Sequence, residues 1–221
     1  MGKSANGIFG NFHGRIGNTV YYTRKGKQVA RKIGINNRPP SLKQLYCRKR
    51  LQVLSAFFKP IKAYLELGFG QSVRGTEMSP YNAAVKYNLN NATQGEYPDV
   101  RMDYEKVVLS RGSLSPALNA SVLKEAEGLR FSWDPGFIHY QNRYDSAMLL
   151  LYFPEQEQAI CLLNEAQRQT GTAFVPLAAQ QLNRKVHLYI AFAGQGNQAV
   201  SDSVYVGAFN LWNDSVLQEI S

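Results

Sequence analysis

Leu129-Arg130-Phe131-Ser132-Trp133 alternates apolar and polar side chains, and Asp134-Pro135-Gly136 follows it. That pattern reads as a β-strand with one buried face, closed by a turn. Similar stretches recur around it: 104–110, 146–153 (Ser-Ala-Met-Leu-Leu-Leu-Tyr-Phe), 158–163, 172–176, 186–193 (Val-His-Leu-Tyr-Ile-Ala-Phe-Ala) and 203–211. Pro154, Gly171 and Gly194-Gln195-Gly196-Asn197 separate them as turn signals. Closely spaced short strands with turns between them predict a β-sandwich over 104–215, with Trp133 facing inward.

Upstream the period changes to that of a helix. Ser41 is a good N-cap and Gln44 completes a capping box. Cys47, Leu51, Leu54, Phe58, Ile61 and Leu65 then follow the spacing of one buried helix face, with Pro60 dividing the segment into 42–58 and 60–67. Arg48, Lys49 and Arg50 take the other faces. Gly68-Phe69-Gly70 ends the segment, and a short helix is expected over Tyr81–Tyr87, with turns from Asn88 to Asn91. Residues 41–103 are thus expected to form a helical connector.

The first forty residues are of another kind. Five glycines with Ile8, Phe9, Phe12 and Ile16 between them make residues 2–18 an irregular arm expected to dock on a surface. Residues 19–33 read as a β-hairpin turning at Lys25-Gly26. Val20, Tyr22 and Arg24 fall on one face of its first strand, and Thr19, Tyr21 and Thr23 on the other. The fold expected from the sequence is therefore mainly β with a helical insert: a basic arm and hairpin (1–40), one or two helices (41–103), and a sandwich (104–215).

Charge is distributed unevenly. Residues 1–65 hold 14 Lys and Arg and no Asp or Glu, whereas the rest hold 11 against 16. A segment without a carboxylate cannot neutralise itself and needs counterions, an anionic partner or the acidic surface of another copy. Nucleic acid is the foremost such partner, because counterion release drives its binding. The candidate binding residues are Arg15, Tyr21, Tyr22, Arg24, Lys25, Lys27, Arg31 and Lys32 in the arm and hairpin, and Arg48, Lys49 and Arg50 in the helix. Basic side chains beside tyrosines suit phosphate contact with base stacking. An ordinary hairpin with an exposed basic tip is the alternative.

Nothing in the pattern points to catalysis. Cys47 and Cys161 lack metal-ligand spacing, so buried thiols are expected and no metal or cofactor is assigned. His13, His139 and His187 are isolated from any nucleophile or acid that could use them. Arg168 reads as a turn residue. No apolar run approaches the length of a membrane span, residues 1–7 lack a signal-peptide core, and Asn6 breaks a myristoylation motif. A cytoplasmic or virion location is expected.

Phe9-Gly10-Asn11-Phe12-His13-Gly14-Arg15-Ile16-Gly17-Asn18, Lys25-Gly26-Lys27-Gln28-Val29-Ala30-Arg31, Val108–Leu114 and Val200–Gly207 together resemble an uncharacterised family of unknown-function domains common in Bacteroidota. The resemblance covers nearly the whole chain and implies no activity, cofactor or catalytic residue. The strand pattern also resembles immunoglobulin and fibronectin type III modules in architecture, which carries no function with it. The expectation is a non-enzymatic structural protein that forms homo-oligomers, as in a phage or virion particle. Its basic region would contact nucleic acid or neighbouring subunits. A cellular nucleic-acid-binding module is the alternative.

Overall fold

The computed structural model describes residues 2–4, 10–34, 38–136, 143–181 and 184–211. The chain divides into two compact units, Met1–Ser41 and Leu42–Ser221. The protein is mainly β, with three α-helices and several antiparallel sheets among the described residues.

In the smaller unit, β1 (Lys3–Ser4), β2 (Phe12–Ile16), β3 (Thr19–Arg24) and β4 (Lys27–Lys32) form one antiparallel sheet in that order. The expected hairpin is β3–β4. Lys25 at φ 49° and Gly26 at φ 78° give the two left-handed positions that a tight two-residue turn requires. The expectation of an irregular arm is corrected: part of it is β2, which supplies the pairing that a lone hairpin needs. Phe12 packs its ring 5.7 Å from that of Tyr21. Phe9 lies outside the described residues.

The larger unit begins with α1 (Leu42–Phe58) and α2 (Lys62–Gly68), separated at Pro60 as the sequence requires. Next comes α3 (Pro80–Asn91), whose N-cap Ser79 accepts from the Asn82 amide through Oγ at 3.3 Å. Asn88–Asn91, expected as turns, continue α3. Buried Asn88 explains why: its amide donates to the carbonyls of Ala84 (3.0 Å) and Val108 (2.7 Å) and accepts from the Val108 amide at 2.8 Å. A small ribbon of β5 (Thr93–Gln94) and β6 (Arg101–Met102) follows.

Seven strands follow among the described residues: β7 (Leu118–Glu125), β8 (Gly128–Asp134), β9 (Ser146–Phe153), β10 (Gln158–Leu162), β11 (Thr172–Pro176), β12 (Lys185–Ala193) and β13 (Val204–Asn210). They form two sheets, ordered β11-β8-β7 and β10-β9-β12-β13. Leu129, Phe131 and Trp133 of β8 pack against Leu149 and Leu151 of β9 and Leu188, Ile190 and Phe192 of β12. Alternate residues of β9 and β12 (Met148, Leu150, Tyr152, Tyr189, Ala191) pack instead with Leu54, Phe57, Phe58, Tyr64 and Leu65 of the helices. Within the sheet β10-β9-β12-β13, β9 and β12 are thus buried on both faces. That is why these two central strands are nearly continuous apolar runs. Helices and sandwich lie in the one compact unit Leu42–Ser221.

Three further expectations are corrected. Residues 104–110 are not a strand: a 3-10 turn spans Tyr104–Lys106, and the extended stretch after it has no ladder. Its backbone is bonded elsewhere, with the Leu109 amide donating to Ser203 Oγ (2.9 Å) and the Arg111 amide to the Gly68 carbonyl (2.9 Å). The missing strand is β7. Second, Cys47 and Leu51 do not share the buried helix face. Cys47 is exposed and Leu51 is 44% exposed, because burial of α1 begins near Leu54. Third, Arg168 is buried rather than an open turn residue. Its guanidinium donates to the Ser115 carbonyl at 2.7 Å, lies 3.3 Å from Asp145 Oδ2, and covers the Phe192 ring at 3.8 Å.

The stretches 109–114 and 200–203 meet in this unit. Ser110 Oγ donates to the Ser201 carbonyl, Gly112 N to Asp202 Oδ1 (3.0 Å), and Gln71 Oε1 accepts from Ser113 N (3.3 Å) and Val200 N (3.2 Å). A Cβ on Gly112 would sit 2.1 Å from the Val200 carbonyl oxygen. Gly112→Ala is therefore expected to destabilise the protein by about 1–3 kcal/mol, read as a lower urea midpoint.

His187 gives the fold a pH dependence. It is buried on β12, stacks on Tyr104 at 4.0 Å, and its Nδ1 is 3.0 Å from the Tyr205 hydroxyl, while Nε2 has no partner among the described residues. Burial, and then the charge of Lys185, hold its pKa down to about 4. The folded protein keeps the imidazole neutral, so this stability is present above the ordinary histidine pKa of about 6.5 and is lost as pH falls toward 4. Between pH 7 and pH 4.5 the loss from this group should be about 2–3 kcal/mol. His187→Gln should remove that part of the acid sensitivity in urea titrations at the two pH values.

Candidate functional site

The smaller unit carries eight Lys and Arg and no carboxylate, whereas the larger carries seventeen against sixteen. Nearly all the net charge of +9 therefore belongs to the small sheet and its flanks.

Register decides where those charges point, since residues directly opposite in antiparallel strands share a face. Arg24 pairs with Lys27, Tyr22 with Val29, and Val20 with both Arg31 and Arg15. Arg15, Arg24, Lys27 and Arg31 thus lie on one face with Tyr22, Val20 and Val29. The other face carries Tyr21 paired with Ala30 and Gly14, Thr23 with Gln28, and Thr19 with Lys32 and Ile16. There Thr23 Oγ1 donates to Gln28 Oε1 at 3.3 Å, and Gln28 Nε2 donates to the Phe12 carbonyl. One face is cationic with a tyrosine at its middle. The opposite one is neutral but for Lys32, and it holds Tyr21 in its contact with Phe12.

Four cations of one sign on one sheet face repel one another. Arg15, Arg24, Lys27 and Arg31 are all exposed, which lets water and salt screen that repulsion, whereas Tyr22, Val20 and Val29 are half-buried. Arg15 is further oriented by Nε donating to the Gly17 carbonyl at 2.9 Å. Lys25 stands at the turn.

The helical candidates belong to the larger unit and divide by role. Arg48 is exposed and Lys49 half-buried. Arg50 is engaged: Nε donates to Thr93 Oγ1 at 2.7 Å, a terminal nitrogen donates to the Leu89 carbonyl, and the guanidinium lies 5.4 Å from the Tyr46 ring. It ties down the end of α3, where carbonyls lack helical partners. Sequence alone gave no sign of that task.

Two of the surface grooves of the larger unit lie beside its helices. One lies where α1, α2 and α3 meet, lined by Phe58, Lys62 and Tyr81; the other lies beside α3, lined by Phe69, Met78, Tyr87 and Arg111. Among the described residues no group of three or more His, Cys, Asp or Glu could hold a metal ion, and no helix is long and apolar enough to cross a membrane.

A family of unknown function, DUF6266, matches residues 11–207. The chain belongs to the DUF6266 family. No curated protein and no solved structure matches it. The DUF6266 match spans β2, β3 and β4, so Arg15, Arg24, Lys27 and Arg31 lie within the family's domain. It also spans the contact between 109–114 and 200–203. In this DUF6266 chain that contact is a structural junction, with Gly112, Ser110 and Asp202 spent on hydrogen bonding and close packing.

Proposed function

We propose that this protein is a non-enzymatic assembly protein that holds nucleic acid on the cationic face of its amino-terminal sheet. One observation carries the reading: Arg15, Arg24, Lys27 and Arg31 share a face in a unit that has no carboxylate. Such a surface gains free energy by releasing the counterions condensed on a phosphate backbone. The larger unit, a three-layered body of nearly balanced charge, supplies structure and contacts between copies.

Arg31 and Lys32 are neighbours in sequence and lie on opposite faces. Arg31→Gln should weaken binding of a labelled oligonucleotide severalfold, and Lys32→Gln should leave it near that of the unsubstituted protein. At physiological salt the Debye length is about 8 Å, so a charge behind the sheet contributes little to its front. Equal effects, or the larger effect at Lys32, would remove the sheet face from the reading.

Particle or multimer assembly is the setting we propose. Light scattering after nuclease treatment separates it from the stand-alone binding module. Ordered multimers that persist without nucleic acid support assembly, whereas a monomer that still binds oligonucleotide supports the module.

A further inference from the structure

We infer that the occupant of the cationic face is a single-stranded nucleic acid, one of whose bases stacks on Tyr22; this rests on the nucleic-acid reading above. Tyr22 and Val29 form the middle row of the face. On one side of it lies the Arg24–Lys27 pair, and on the other the row Arg15–Val20–Arg31. Neighbouring rows are two residues apart, about 7 Å, so the two cationic rows stand about 13 Å apart with the ring between them. A chain whose phosphates touch both rows must pass its bases over Tyr22.

A duplex keeps its base faces stacked and offers the Tyr22 ring no π-face. A single strand offers both phosphates and π-faces. The apolar side chains of the face, Val20 and Val29, have no hydrogen-bonding groups with which to read base edges. Binding should therefore tolerate sequence, as stacking platforms do. Tyr21 takes no part. It lies on the opposite face with its ring 5.7 Å from Phe12.

The test uses the full chain and three probes: an oligo-dT of about twenty nucleotides, a duplex of the same length, and heparin, a polyanion without bases. Tyr22→Leu should weaken oligo-dT binding roughly five- to hundredfold, the range of one lost base stack, with the salt slope unchanged. Heparin and duplex binding should stay as they were. Tyr22→Phe should bind like the unsubstituted chain, and Tyr21→Leu should not reproduce the selective loss. The Trp of Tyr22→Trp should be quenched by oligo-dT and not by heparin. If the unsubstituted chain bound none of the probes, the nucleic-acid reading itself would fall. If it bound all three and Tyr22→Leu weakened none, or weakened oligo-dT and heparin alike, the single-strand inference alone would fall.

Discussion

Replacing Asp145 with Ala should destabilise the protein by about 3–5 kcal/mol, because it leaves the Arg168 guanidinium buried without its counter-charge. The two side chains are only 3% and 6% exposed and 3.3 Å apart. Burial outweighs their mutual attraction on both sides, pushing the Asp145 carboxyl up and the Arg168 guanidinium down from their ordinary values. The pair also organises the backbone around it. The Arg168 amide donates to the Asp145 carbonyl at 2.7 Å, its guanidinium to the Ser115 carbonyl at 2.7 Å, and its carbonyl accepts from Trp133 Nε1 at 2.8 Å. For a protein of this size such a loss lowers Tm by roughly 6–20 °C. The double replacement Asp145→Leu with Arg168→Met removes both charges and should recover much of the deficit. A single substitution with a near-neutral melting temperature would mean that the pair is solvated.

Trp133→Ala should cost a similar amount, about 3–5 kcal/mol, for a different reason. The indole is 4% exposed between the two sheets, with its ring edge-on to Phe192 at a centroid distance of 5.7 Å. Truncation leaves a void that Leu129, Phe131 and Phe192 cannot close without moving, and it strands the Arg168 carbonyl. Trp133→Phe keeps most of the packing and should cost less. Since Trp133 and Arg168 share a hydrogen bond and both contact Phe192, the Trp133 and Asp145 substitutions should combine non-additively in a double-mutant cycle. Denaturant titration checks both; a small effect of Trp133→Ala would place the indole outside the core.

Much of this fold is visible in the residues. The β3–β4 turn follows from Lys25-Gly26, the break between α1 and α2 from Pro60, and β8, β9 and β12 from their apolar content. The failures have physical causes. Strand β7 lacks a run of β-branched and aromatic residues, and Leu118 and Leu123, at 51% and 50% exposed, do not mark a buried face. Residues 104–110 imitate a strand because Val107 and Leu109 are buried in alternation, yet the amides of Val108 and Leu109 are bonded by Asn88 and Ser203 instead of a partner strand. For the candidate site, composition gives the residue types and alternation gives two sets per strand. Only the pairing of β2 with β3 brings Arg15 to the face of Arg31, and a Gly-rich stretch does not announce that pairing. Arg50 looks like any exposed cation until α3 is seen ending beside it.

The most direct measurement is the salt dependence of oligo-dT binding by the full chain and by the variant with Arg15, Arg24, Lys27 and Arg31 all replaced by Gln. Each phosphate contact on a single strand contributes about 0.7 to the slope of log K against log salt, so the variant's slope should be shallower by about 3. The same slope in both proteins would contradict a cationic sheet face that binds nucleic acid.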